Sequence, residues 1–157
     1  MNALEHGITE EAVTAFIDEA LASFPEPPSP VLSRTDTRVV VARIGLSGAW
    51  NGMLVFRVPA PLAACLASTL FGVPAAETTS AERTDVVAEL CNTVGGNIKG
   101  LIRGAAALSL PIVTERHAEV VGQQTATPSG TVAVNLVHSF LGRFILVQVI
   151  ENADGAP

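Results

Sequence analysis

Asp85, Glu89 and Asn92 stand four and then three residues apart, within a stretch whose apolar residues recur at helical intervals. At about 100° per residue, Asp85, Glu89, Asn92, Gly96, Lys99 and Arg103 fall near one line of that helix. Val87, Leu90, Val94, Ile98 and Leu101 lie on the other side. One turn separates Glu89 from Asn92, so both can touch a single partner. A carboxylate can pair with a lysine. An amide holds a water through its oxygen and donates from its nitrogen, but it is no base at neutral pH. The set therefore suits the positioning of a water better than nucleophilic attack.

Most polar helix stripes are simply solvated, and that reading stays open for this one. Two details set it apart. Asn92 sits in mid-helix, where asparagine is a poor helix former and has no cap to make. Gly95, Gly96, Gly100 and Gly104 follow closely, and an interior glycine costs about 1 kcal/mol relative to alanine. Glycine there admits either a packed helix, along Gly100 and Gly104, or a docked partner beside Gly96.

Other chemistries fit poorly. Neither Cys65 nor Cys91 is followed by a phosphate-cradling loop, and both lie in apolar segments, as buried thiols of a reducing compartment do. His6, His117 and His138 are scattered, without the spacing of a zinc site, and read as surface or strand residues. Gly95 to Lys99 is no phosphate loop, because it lies inside a helix with the wrong spacing. Nine Lys and Arg against fifteen Asp and Glu give a net charge of -6. No basic run is present, and six Phe, one Trp and no Tyr offer little for base stacking. Nucleic acid is thereby disfavoured as a partner.

The elements that must position this face can be read in order. Thr9 caps a first helix with Glu10 and Glu11 in its first turn. Residues 1–24 form this N-terminal helical segment, and the prolines of 25–30 a stiff linker. Arg38 to Ile44 and Met53 to Val58 read as a hairpin around Gly45, Gly48, Asn51 and Gly52. Pro59 and Pro61 open a short helix that Gly72 closes. Val73 to Thr79 is loop. Ser80 caps the long helix, from about Ala81 to about Gly104. Pro111 to Val121 is extended, in one or two pieces, and Gln123 to Gly130 is a polar turn. Thr131 to Ser139 and Arg143 to Ile150 pair around Leu141 and Gly142. A main domain over 31–151 and a flexible tail over 152–157 complete the chain. The fold class is α+β, an antiparallel or mixed sheet packed against helices, in one domain overall. The first residues lack the pattern of a signal peptide, and no apolar run is long enough to span a bilayer. The expectation is a cytoplasmic protein with no membrane insertion.

The motif and its surroundings resemble the CheC/CheX/FliY family of response-regulator phosphatases, closest to CheX. The resemblance rests on Asp85-x-x-x-Glu89-x-x-Asn92 with a later proline, here Pro111. It rests also on ELCNTVGGNIKG along the long helix, IGLSGAWNGMLVFRVP in the first hairpin and LPIV before the next strand. It covers about residues 38–150. The interval from Asn92 to Pro111 is shorter than the family's usual one. The resemblance implies a phosphatase acting on the aspartyl phosphate of a CheY-type receiver domain. Glu89 would pair with the receiver's active-site lysine, and Asn92 would orient the attacking water. Asp85 would support docking, with Gly96 and Lys99 beside it. The protein would need no cofactor or metal of its own, the Mg2+ belonging to the receiver, and would pair as a homodimer. A non-catalytic module that docks receivers or flagellar-switch components through the same face is the alternative.

Overall fold

A computed structural model describes residues 1–25, 35–117 and 130–153. Among these residues three helices lie on one face of a six-stranded sheet: α1 (Glu10–Ala22), α2 (Ala60–Phe71) and α3 (Ser80–Leu101). The strands are β1 (Arg38–Gly48), β2 (Gly52–Pro59), β3 (Ala106–Leu108), β4 (Ile112–His117), β5 (Gly130–Phe140) and β6 (Arg143–Asn152). Every pairing is antiparallel, in the order β3-β1-β2-β6-β5, with β4 also on β1. The α+β expectation holds, and the sheet is antiparallel throughout rather than mixed.

Strand alternation sorts the sheet into two faces. Val40, Ala42 and Ile44 of β1, Leu54, Phe56 and Val58 of β2, and Ile145, Val147 and Val149 of β6 point to the helices and are buried. Val13, Ile17, Ala20 and Leu21 of α1 join the same core. The N-terminal helix thus packs on the same core as the sheet and the other two helices. Thr9 caps it by accepting from the Ala12 N–H, as its sequence requires. His138 of β5 reaches Asp18 of α1 at 3.3 Å, which ties the helix to the sheet's edge. The opposite sheet face carries a smaller cluster of Val41, Val55 and Ile150.

Several elements differ from expectation. β1 runs on through Gly48, where a turn was expected from Gly45. The cap of α3 is Thr79, not Ser80. Thr79 Oγ1 accepts from the Glu82 N–H at 3.1 Å, and Glu82 accepts from the Thr79 N–H at 2.8 Å. This reciprocal box needs an acid three residues on, and three residues after Ser80 stands Arg83. The helix ends at Leu101, so Arg103 lies beyond it. β3 was not foreseen, because Ala105 to Ala107 favour helix by composition and are held extended only by β1. From β3 to β4 the partner edge advances four residues while β1 advances three. Ser109 spans this bulge: its N–H donates to the Gly45 carbonyl, and its Oγ accepts from the Gly45 N–H. A short 3-10 turn, Ala75–Glu77, interrupts the loop before α3. The polar turn expected over 123–130, save Gly130, which instead opens β5, the end of the extended stretch beyond residue 117, and most of the proline linker and the tail lie outside the described residues.

Candidate functional site

The core-facing side of α3 is fixed by Val86, Val87, Leu90, Cys91, Val94 and Ile98, all buried. Helical periodicity then forces Asp85, Glu89, Asn92, Gly96 and Lys99 outward, and each is exposed. Among the described residues, the side chains of Asp85, Glu89, Asn92 and Lys99 make no hydrogen bond or ion pair. Glu89 and Asn92 thus stand on successive turns with their polar atoms turned to solvent. Asp85 and Lys99 lie one turn below and about two turns above them on the same line. Arg103 is exposed but past the helix end, outside this stripe.

The glycines behave differently from one another. A Cβ at Gly95 would come within 3.2 Å of Ile44 Cγ2, so this glycine lets α3 settle closely on β1. A Cβ at Gly96 or Gly100 would meet nothing within 4 Å among the described residues. Close packing therefore sits at Gly95, not along Gly100, because Gly95 is in phase with the buried stripe. Gly104, three residues past the end of the helix, has φ +121°, a conformation that favours glycine, with Ala49 hard against it.

What aims the face is a buried arginine that its charge conceals in the sequence. Arg83 lies in phase with Val87 and Leu90 and is only 7 % exposed. Its Nε and Nη2 donate to the Glu115 carboxylate of β4 at 2.7 and 2.8 Å, and Nη1 donates to the Thr78 carbonyl. Arg38 of β1 adds a bond to Glu115 at 3.1 Å and is itself paired with Asp36. The first turn of α3 is thereby tied to the sheet edge. The Arg83 guanidinium holds the Glu115 carboxyl below the usual range, against burial, and Arg38 does the same to Asp36. The place of Arg83 in the apolar phase of the helix was the one hint the sequence held, and it names no partner.

Cys65 and Cys91 are buried free thiols. Burial pushes the Cys91 thiol up to about 12, a poor nucleophile. His6, expected at the surface or in a strand, is instead buried in the N-terminal turn, where its Nδ1 accepts from the Arg103 N–H at 3.1 Å. His117 and His138 are strand residues, as read. Among the described residues no three His, Cys, Asp or Glu gather as metal ligands. No helix among them is long and apolar enough to cross a membrane.

The profile of a family described as "Chemotaxis phosphatase CheX" matches residues 40–135, more than half of the chain. No curated protein matches the sequence. The fold is similar to that of the chemotaxis protein CheX from Vibrio vulnificus, at 19% identity and TM-score 0.63, over 89% of this chain and 93% of that one. CheX in a CheX-CheY-BeF3-Mg+2 complex from Borrelia burgdorferi is similar at 15% identity and TM-score 0.61, over 91% and 97%. FliY from Thermotoga maritima follows at 20% identity and TM-score 0.57, over 94% and 86%.

Proposed function

Because the chain belongs to the CheX family, we propose that it is a phosphatase of a CheY-type response regulator, with Glu89 and Asn92 as its working residues. The observation that carries the proposal is the pair itself: a carboxylate and an amide one turn apart, exposed and unengaged on a helix whose other side is locked in the core. Such a pair supplies no nucleophile and needs none. The receiver brings the aspartyl phosphate, its Mg2+ and a lysine. Glu89 pairs with that lysine and fixes the register of docking. Asn92 then holds a water through its amide, in line with the phosphorus, and the gain is one of orientation. Asp85, Gly96 and Lys99 line the approach and contribute to docking. The Borrelia burgdorferi complex supports a receiver as the kind of partner. The site of action is the cytoplasm.

The chain also works as a homodimer in this reading. The support is the sheet face away from the helices, where Val137, Phe144 and Leu146 are exposed side by side, and Ile112 is exposed farther across the same face. Register places them on one side, since Val137 pairs with Leu146, Leu146 with Arg57, and Ile112 with Arg43. Apolar area of this kind is commonly an interface.

The test is the decay of radiolabelled acyl phosphate on CheY-like receivers, with and without the protein. The native protein accelerates decay. Asn92→Ala loses the acceleration by about 10²-fold while still binding the receiver, and Glu89→Ala weakens binding. A receiver that binds but decays at its own rate would reject the enzyme and leave the docking module.

A further inference from the structure

Next to the Glu89–Asn92 face the three helices leave a recess of about 180 Å3. Its walls are Ala20, Phe24 and Pro25 at the end of α1, Leu70 in the last turn of α2, and Leu90 of α3. Glu89, Thr93 and Ser23 form the polar rim. Leu70 is 49% exposed, so the recess leaves carbon in water next to the working carboxylate. Among the described residues Glu89 is the one ionisable side chain on the lining, and the lysine contact already engages it. The remaining space asks for an apolar occupant. A dry cavity of about 150 Å3 holds a benzene ring, so the recess suits one large side chain.

We infer that the receiver seats one large apolar side chain, aliphatic or aromatic, in this recess, and that Phe24, Leu70 and Thr93 thereby select which receiver is accepted. The inference rests on the phosphatase reading. It follows from shared geometry: a receiver surface that meets Glu89 and Asn92 must cover a recess that Glu89 itself borders. A few side chains seated in pockets supply most of an interface's binding energy, so a receiver without the right anchor binds less tightly. The α1 wall, Ala20 to Pro25, precedes the matched residues 40–135, so part of the selecting surface lies outside the region that the family profile matches. This gives the N-terminal helix a role at the site.

The experiment measures steady-state hydrolysis of a phosphorylated receiver by the full chain. Leu70→Gln keeps size and helix propensity but makes the wall polar. Thr93→Phe plugs the recess, and Leu70→Met is the conservative control. The expected result is a KM raised about fivefold or more by Leu70→Gln and Thr93→Phe, a kcat within twofold of native, and native behaviour in Leu70→Met. Asn92→Ala, run beside them, loses kcat. An unchanged KM in both recess variants, with native activity intact, overturns the inference and leaves the phosphatase standing. A fall in kcat alone also overturns it, as does loss of a dimer by Leu70→Gln with KM unchanged, which gives the recess to a second copy. A native protein that accelerates no receiver overturns both readings together.

Discussion

At the scale of single residues, the candidate site depends on what surrounds Glu89 and Asn92 more than on the two side chains. Both are exposed, so their contribution to docking is exposed electrostatics, which salt screens. Receiver binding by the native protein therefore weakens between about 0.05 and 0.5 M salt, and Glu89→Gln both weakens binding at low salt and flattens that dependence. A titration by fluorescence anisotropy at several ionic strengths checks it. The neighbouring glycines separate packing from docking. Gly96→Ala raises the melting temperature, since it adds helix propensity of about 1 kcal/mol with nothing in the way. Gly95→Val lowers it, because its side chain must displace Ile44 from β1. Thermal scans of the two variants should move in opposite directions. If Gly96 borders the docked receiver, Gly96→Ala also loses affinity while gaining stability. The motif residues were legible in the sequence because helical phase alone sends them outward. Arg83 was not, because a buried arginine looks like a surface residue until Glu115, thirty-two positions away, is brought against it.

At the scale of elements, the Arg83–Glu115 pair sets the direction in which α3 presents its face. A buried pair broken on one side costs about 3–5 kcal/mol, and replacing both partners by apolar residues of similar size can recover much of that. Arg83→Met should accordingly lower stability strongly, and Arg83→Met with Glu115→Leu should lower it less, as read by urea denaturation. The pH dependence has a definite sign. The folded Glu115 carboxyl lies below its ordinary 4.5, so its stabilising effect is fully present above about that pH. The effect is lost as pH falls through the folded value. Native stability should drop more steeply below pH 4.5 than that of the double variant. Helix starts and ends were readable where a side chain marks them: Thr9, the prolines before α2, and Gly72 in a left-handed cap. Thr79 with Glu82 carried the same signal one residue from where it was expected. β3 carried none, since Ala106, Ala107 and Leu108 become a strand only through Gly48, Ser47 and Leu46 of β1.

At the scale of the whole molecule, the sheet has one face given to the helices and one left with exposed carbon. Alternation in β5 and β6 foretold strands, but not which neighbours would place Val137, Phe144 and Leu146 side by side. That required the register between strands. The homodimer proposal makes a measurable claim here. Phe144→Lys or Leu146→Lys should turn a dimer into a monomer by light scattering, with the helices intact by circular dichroism. The site on α3 lies on the other side of the sheet, so hydrolysis per chain should change little in those variants.

The strand order has a consequence for how the chain reaches this structure. β6 comes last in the chain, yet it lies between β2 and β5 in the sheet. Until β6 is made, the β1–β2 hairpin offers the open backbone edge of Gly52–Pro59 to whatever strand it meets. A ribosome-bound chain ending before Arg143 therefore holds a half-built sheet that is prone to pair wrongly, and closure is a late, long-range step. Chaperone dependence in the cell should track the delay before that final strand emerges.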